Sequence, residues 1–257
     1  MKIRIQSDIH FEFFRGLEFN NFINYQKKLQ NKNPCQMIIL AGDIVTFDTK
    51  NLLHHYLEFL SRHYEKALYI LGNHEYYDNS LKYHFKEGWA EYVESEYVKI
   101  VNQFEKVKLL LDEKVEIEGY NFYGTTLWSP IDKKGYYMMS EKLFFEREEI
   151  LEMHLKCKTK CLDFLKNNEN KVLITHHLPS DYFIAPKFQD WNNSGFNADC
   201  EEFFDYGVKY WIYGHTHEGK EDFFKGCQTY CYPYGYPREN DKKVGNYDNI
   251  FELKKIE

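Results

Sequence analysis

The segment Leu71-Gly72-Asn73-His74-Glu75 constrains the fold of this chain most strongly, because it lies at the end of the apolar run at residues 67–71. A β-like run that ends in glycine and then in side chains able to bind metals or protons is how an α/β sheet presents chemistry at its rim. The segment alone is also compatible with an ordinary turn, since Gly and Asn both tolerate turn conformations. Four further apolar runs end in a similar way, and this repetition gives the segment its weight.

These four runs share one pattern, in which a short apolar stretch is followed by aspartate or histidine. They are 3–5 with Asp8 and His10, 37–40 with Asp43, 172–174 with His176 and His177, and 210–213 with His215 and His217. Residues two apart in an extended chain point the same way, so each Asp-x-His or His-x-His pair could hold one ion. If the strands share a sheet with parallel sense, their carboxyl ends converge and these side chains meet.

The pattern between the runs predicts the remaining architecture. An apolar stripe over residues 52–60 predicts a helix between two buried strands, hence a βαβ unit in a parallel or mixed sheet. Helical patterns also cover 76–104 and 140–165, and residues 115–123 read as a hairpin. The strand-like runs between 221 and 253 are expected to close a second sheet. We therefore expect a single domain over 1–257, with a possible helical cap at 76–106.

Composition narrows the class of partner. A net charge of −7 disfavours general nucleic-acid binding, which needs a basic face. No apolar run approaches the length of a transmembrane helix. The sequence opens with a strand-like run, so no signal peptide is expected. Six cysteines in 257 residues are too dilute for a disulfide framework, and a cytoplasmic location is the prediction.

The candidate ligands together predict the kind of metal. Aspartate, histidine and one asparagine, without cysteine, suit divalent Mn²⁺, Fe²⁺ or Zn²⁺. Seven ligands exceed what one catalytic ion takes, because such an ion keeps a position open for water. Two ions that share a bridging carboxylate would use the whole set. Two carboxylates offset two of the four positive charges, and the remaining charge favours a phosphate-ester substrate.

The ordered motifs are Asp8-x-His10, Gly42-Asp43, Gly72-Asn73-His74-Glu75, Thr175-His176 and Gly214-His215-Thr216-His217. The chain with these motifs closely resembles the calcineurin-like metallophosphoesterase superfamily, in particular its small stand-alone prokaryotic-type phosphohydrolases. The resemblance extends from residue 8 to residue 217. It implies an α/β fold, a four-layer αββα sandwich with two mixed β-sheets, and a dinuclear centre at the strand ends.

The resemblance also implies roles for individual residues. Asp8, His10, Asp43 and His217 would bind one ion, and Asn73, His176 and His215 would bind the other together with Asp43 as the bridge. His176 is preferred to His177 because the family's ligand usually follows directly on the strand. His74 resembles the catalytic histidine that assists the leaving group, with Glu75 orienting it. The nucleophile would be a metal-bridging hydroxide that attacks phosphorus in line, with Mn²⁺ favoured.

Three functional readings stay open on the sequence alone. A phosphatase acting on small phosphomonoesters or phosphoproteins and a cyclic-nucleotide or nucleotide phosphodiesterase would share every motif. A non-catalytic scaffold on the same fold is disfavoured because His74 and all candidate ligands are present. The closing segment departs from the family's Asn-Pro-Arg-Gly-Tyr type of turn, so Arg238 becomes the nearest arginine for phosphate. Aromatic residues that flank the motifs are expected to serve packing more than stacking on a leaving group; they are Phe11, Phe13, Tyr76, Tyr77, Trp128, Tyr182 and Tyr236.

Overall fold

The computed structural model describes residues 1–81, 87–236, 239 and 249–254. Its longer helices and its strands follow one another along the chain as β1 (Lys2–Gln6), α1 (Glu18–Lys32), β2 (Met37–Ala41), α2 (Lys50–His63), β3 (Lys66–Ile70), α3 (Trp89–Val101), β4 (Val107–Leu109), β5 (Glu113–Ile117), β6 (Tyr120–Thr125), α4 (Lys133–Met138), α5 (Arg147–Asn167), β7 (Lys171–Thr175), β8 (Tyr210–Tyr213), β9 (Lys220–Phe224), β10 (Cys227–Cys231) and β11 (Ile250–Glu252).

The strands form two mixed sheets. In the first, β1, β2, β3 and β4 run parallel, and β11 pairs antiparallel with β1 at the edge. The second sheet has the order β5-β6-β7-β8-β10-β9, parallel from β6 to β10 and antiparallel at both edges. Two mixed sheets flanked by helices confirm the predicted α/β class and the αββα layering.

The strand sequences explain why the two sheets stack. Alternate side chains of β1 point to opposite faces, as strand geometry requires. Ile3 and Ile5 lie in the apolar layer between the sheets, together with Ile39 of β2 and Ile174 of β7. The outward residue Arg4 is buried beneath α1 and donates to the carbonyl oxygen of Asn33 at 2.9 Å. The layer between the sheets is therefore apolar, and the outer faces of the sheets are covered by helices.

Helices α2 and α3 pack on the first sheet, and α5 packs on the second. Helix α3 buries Trp89, Val93, Tyr97 and Val101 in the outer core. The described part of the possible cap at 76–106 therefore packs on the sheet, while residues 82–86 of that segment lie outside the described residues. No helix within the described ranges combines the length and the apolar character needed to cross a membrane.

The sheet topology departs from the sequence analysis at two points, of which one is a condition that is not met and the other an expectation that was wrong. The strands before the candidate ligands do not share one sheet, because β1, β2 and β3 belong to the first sheet and β7 and β8 to the second. The last strand, β11, joins the first sheet beside β1, whereas the sequence pattern predicted that it would close the second sheet as part of a hairpin. Pairing depends on contacts between residues far apart in sequence, which local patterns do not encode.

Candidate metal centre

The candidate ligands gather where the carboxyl ends of five strands from both sheets meet. Backbone hydrogen bonds join the loops there: the amide of Asp8 donates to Gly42 O at 3.0 Å, and that of Gly214 donates to His176 O at 3.0 Å. The His215 amide also donates to the Asp8 carboxylate, at 2.9 and 3.2 Å. The two sheets are thus tied together at the site itself.

Five of the seven candidate ligands adopt left-handed backbone conformations. Their φ angles are 52° for Asp8, 55° for His10, 55° for Asp43, 67° for His215 and 52° for His217. Such a conformation costs a non-glycine residue about 1–3 kcal/mol and persists only where the surroundings impose it. Its concentration here indicates that the loops are shaped to aim these side chains rather than to minimise backbone energy.

The first cluster consists of Asp8, His10 and His217. Each offers a ligand atom within 4.8 Å of the others. The Nε2 atoms of His10 and His217 face each other at 3.0 Å, and His217 Nε2 lies 3.5 Å from Asp8 Oδ1. Two imidazole nitrogens at that distance need a proton or a cation between them. The cluster therefore suits a cation.

The second cluster consists of Asp43, His176 and His215, again within 4.8 Å. His176 Nε2 lies 3.1 Å from His215 Nδ1 and 3.0 Å from Asn73 Oδ1. The Asn73 amide is oriented by its nitrogen, which donates to Tyr77 and to Glu141 at 2.8 Å each. Its oxygen is thereby left facing the cluster, as a metal ligand would be.

Asp43 connects the two clusters. Its Oδ2 lies 3.2 Å from His176 Nε2 and 3.8 Å from His10 Nε2. Asp43 therefore lies between the two clusters, and His176 rather than His177 belongs to the second cluster. The His177 Nδ1 atom lies 3.3 Å from Thr126 O, and burial with the neighbouring His176 lowers the pKa of His177 to about 3.

Each histidine of the clusters has its second ring nitrogen held by an acceptor. His10 Nδ1 faces Glu12 at 2.9 Å, His176 Nδ1 faces Ala41 O at 2.9 Å, His215 Nε2 faces Gly195 O at 3.3 Å and His217 Nδ1 faces Glu239 at 2.9 Å. Such contacts fix the tautomer and orientation of a metal-ligating histidine. The donor set of this chain therefore fits two divalent ions.

Two glycines let the loops approach one another this closely. A Cβ atom on Gly72 would lie 2.2 Å from Asp43 Oδ1 and 2.6 Å from the Asp43 nitrogen. One on Gly42, whose φ is +84°, would lie 2.5 Å from His176 Nδ1. Both positions therefore require the absence of a side chain.

His74 lies between the clusters and the solvent, with 15% of its side chain exposed. Its Nδ1 is 2.9 Å from Glu12 Oε1, and its Nε2 is 4.0 Å from Asp43 Oδ2. Burial alone would lower the pKa of His74, but the carboxylates of Asp43 and Glu12 outweigh it and raise the pKa to about 9. His74 is therefore protonated at neutral pH when no metal is bound.

Glu12 is a site residue that the sequence reasoning missed. Its Oε1 accepts from both His10 and His74 at 2.9 Å, and the side chain is only 5% exposed. Burial raises its pKa, but the two imidazole contacts prevail and lower it to about 2. The available signal was its place two residues after His10, which puts it on the same side of a short turn.

Glu75 does not orient His74, contrary to the sequence-based expectation. Its carboxylate accepts from the backbone amides of Gly72, Asp43 and Ile44 at 2.7–2.9 Å, and from the Tyr69 hydroxyl at 2.8 Å. Burial and the nearby Asp43 raise the pKa of Glu75 to about 7. Glu75 instead ties the Asp43 loop to the loop after β3, so its influence on the site is through the backbone.

A cleft of about 370 Å³ opens beside the clusters and reaches Asp43, Asn73, His74, His215 and His217. Of the flanking aromatic residues predicted mainly to pack, Phe11, Tyr76 and Trp128 are buried in the outer core, whereas Tyr77 and Tyr236 line this cleft. Arg238, the arginine nearest to the closing segment that differs from the family's turn, lies outside the described residues.

Residues 1–219 match the family model for calcineurin-like phosphoesterases. The chain belongs to this family. An uncharacterized protein of Acanthamoeba polyphaga mimivirus is 24% identical to it over 267 residues, which cover 93% of this chain and 92% of the viral protein. Among solved structures, the phosphopantetheinyl hydrolase of Mycobacterium tuberculosis superposes with a TM-score of 0.68 at 16% identity, covering 98% of this chain and 95% of that one.

Membership of the calcineurin-like phosphoesterases sets the coarse chemistry. It implies a hydrolase that acts on phosphate esters, and divalent metal ions are what the family generally uses. The Asp and His clusters of this chain could hold such ions. At 16% identity the likeness to the mycobacterial enzyme shows the fold alone.

Proposed function

We propose that this protein is a phosphoesterase that binds two divalent metal ions. Asp8, His10, Asp43 and His217 would hold one ion, and Asp43, Asn73, His176 and His215 the other. The observation that carries the proposal is the position of Asp43, whose Oδ2 faces His10 of one cluster and His176 of the other. Mn²⁺ is the favoured ion, because oxygen and imidazole ligands without thiolate suit it.

When bound, the two ions would supply an acidified water as nucleophile and polarise the phosphate for in-line attack. The chain's own residues prepare the rest. His74 is held by Glu12 through Nδ1, so its Nε2 is the atom that can donate a proton to the leaving oxygen. Asn73, fixed by Tyr77 and Glu141, presents its oxygen to the second cluster. The buried backbone amides bonded to Glu75 keep the Asp43 loop in place.

Chelator-stripped protein with Mn²⁺ added back should hydrolyse p-nitrophenyl phosphate or its bis-ester. Preference for the monoester would indicate a phosphatase, and preference for the bis-ester would indicate a phosphodiesterase. His74→Ala should retain metal and lose most turnover, since proton transfer by a positioned side chain contributes about 10²–10⁴-fold. Unchanged turnover in the metal-loaded variant would exclude His74 as the acid.

Two parts of the proposal depend on the sequence rather than the site. The cytoplasmic location is inferred from the cysteine usage. The absence of general nucleic-acid binding is inferred from the net charge of −7. We carry over no substrate from the phosphopantetheinyl hydrolase, because the similarity is limited to fold.

A further inference from the structure

The cleft beside the clusters has walls that the proposed chemistry does not require. Most of its apolar lining comes from two segments, residues 135–140 and residues 184–196. The side chains concerned are Met138, Met139, Ile184, Phe188, Trp191 and Phe196. A phosphate group alone would need none of them, since apolar side chains contribute to binding by burying apolar area.

We propose that this cleft selects phosphate esters that carry an apolar, uncharged alkyl or aryl substituent, with Phe188 and Trp191 as specificity-determining residues. The inference rests on the proposed phosphoesterase function and adds the substrate class. A volume of about 370 Å³ falls within the range of small-ligand sites. The substituent would enter the cleft while its phosphate lies at the clusters.

The apolar walls are continuous with the candidate metal centre. The Phe196 ring packs on His215 with a centroid distance of 4.8 Å, and Gly195 O lies 3.3 Å from His215 Nε2. Tyr77 also lines the cleft, and its ring stacks on Phe144 with a centroid distance of 4.9 Å. A group bonded to a phosphate at the clusters would therefore meet these walls first.

The two walls are also fastened to each other, so the cleft is preformed. The Asn192 side-chain amide donates to both carboxylate oxygens of Asp132, at 3.1 and 2.9 Å, and the Asp132 amide donates to the Ser194 hydroxyl at 3.2 Å. A Cβ on Gly135 would lie 2.2 Å from that hydroxyl oxygen. A preformed apolar cleft binds an apolar group without the cost of ordering its walls.

Charge and exposure define the substituent further. Among the described residues that line the cleft, none is lysine or arginine, and Glu239 adds a negative charge. A second anionic group on the substrate would therefore meet the Glu239 carboxylate and, among the described lining residues, no lysine or arginine side chain to balance its charge. Met138 and Trp191 are 56% and 64% exposed, so together they leave apolar surface of the cleft open to a ligand.

The test uses 4-alkylphenylphosphonates, whose phosphorus–carbon bond prevents hydrolysis, and measures their binding to Mn²⁺-loaded protein by titration calorimetry. The dissociation constant should fall by up to about fourfold per added methylene until the cleft is full. The 4-carboxyphenyl compound should bind more weakly than the similarly shaped 4-isopropylphenyl compound. Both Phe188→Ala and Trp191→Ala should flatten the dependence on chain length, and Phe188→Leu should retain it.

Phe223→Ala is the matched control, because Phe223 is 68% exposed on β9 and does not line the cleft. It should leave the dependence unchanged. Equal affinity across the series, or an unaltered dependence in Phe188→Ala and Trp191→Ala, would overturn the inference. Hydrolysis of phenyl phosphate and of bis(p-nitrophenyl) phosphate by the same preparation tests the proposed function separately. Chain-length dependence without hydrolysis of either ester supports the cleft and contradicts the activity, and hydrolysis without that dependence does the reverse.

Discussion

Replacing Glu12 by glutamine should weaken both the proposed acid and one metal ligand, because one buried oxygen serves both histidines. Glu12 Oε1 accepts from His10 and His74 at 2.9 Å each. Although burial raises the pKa of the Glu12 carboxyl, the contacts with the two imidazoles lower it from its ordinary value of 4.5 to about 2. At about 1.4 kcal/mol per pH unit, this corresponds to about 3 kcal/mol of preference for the ionised form. Divided between two imidazoles, the share of His74 is on the order of 1–2 kcal/mol.

That share predicts a loss of about 10- to 20-fold in kcat for metal-loaded Glu12→Gln. The alkaline limb of the pH profile should also move to lower pH by about one unit, because a His74 without the carboxylate releases its proton more easily. Metal affinity should fall by about 10–100-fold, the usual effect of losing a contact behind a ligating histidine.

The assay is a pH profile of kcat at saturating Mn²⁺, with bound metal measured in the same samples. Glu148→Gln is the matched control, since the Glu148 side chain is 74% exposed and forms its ion pair with Arg147, at 3.6 Å. A metal-loaded Glu12→Gln with the wild-type kcat and an unmoved alkaline limb would refute the reasoning. An unmoved limb with lower metal occupancy would restrict Glu12 to supporting His10.

Three further predictions address the loops and the metal. Gly72→Ala should weaken Mn²⁺ binding and cost about 1–3 kcal/mol of unfolding free energy measured in urea, because the new Cβ would meet Asp43 Oδ1 at 2.2 Å. The control for metal binding is Gly207→Ala, whose Cβ meets no atom within 4 Å although the φ of +70° strains an alanine there; equal metal affinity in both variants would contradict the prediction. Mn²⁺ binding should release protons and weaken as pH falls below about 9, since burial lowers but Asp43 raises the pKa of His176 to a net value of about 9 and the metal needs the neutral ring; titration calorimetry in buffers of different ionisation enthalpy measures this, and no proton release at pH 7 would contradict it. In the metal-free protein, His176 should accordingly contribute stability that is fully present below pH 6.5, the ordinary histidine value, and is lost as pH rises through about 9; a melting temperature that rises between pH 6.5 and 9 would show the opposite sign.

Much of the site was predictable because its ligands follow strands directly. The runs before Asp43, Asn73 and His176 are short and continuously apolar, so a buried strand and its carboxyl end could both be located from local sequence. The hairpin at 115–123 was likewise predicted, and β5 and β6 confirm it.

What could not be predicted depends on contacts between distant residues. Helix α1 (Glu18–Lys32) was missed because its buried side chains include Gln26 and Gln30, which weaken the apolar stripe. Gln26 accepts from Gln6 at 2.7 Å, and Gln30 donates to the backbone oxygen of Cys35 at 2.7 Å. These polar contacts make burial acceptable, but they become visible only once the chain is folded.

The role of Glu12 and the cleft walls were missed for a related reason. The sequence motif placed Glu75 beside His74, and only the turn geometry shows that Glu12 reaches His74 Nδ1 instead. Phe188, Trp191 and Phe196 lie in a stretch without long regular elements, where side-chain direction follows from loop contacts such as the Asn192–Asp132 hydrogen bonds. Periodicity carries no information about such positions.

A titration of Mn²⁺ into chelator-stripped protein, with bound metal and bis(p-nitrophenyl) phosphate and p-nitrophenyl phosphate hydrolysis followed together, tests the central claim most directly. We expect two ions per chain, with turnover of at least one ester rising as the second ion binds. Asp43→Asn, which alters the carboxylate shared by both clusters, should lower occupancy of both. Two bound ions without turnover of either ester, or turnover that persists without bound metal, would contradict the account.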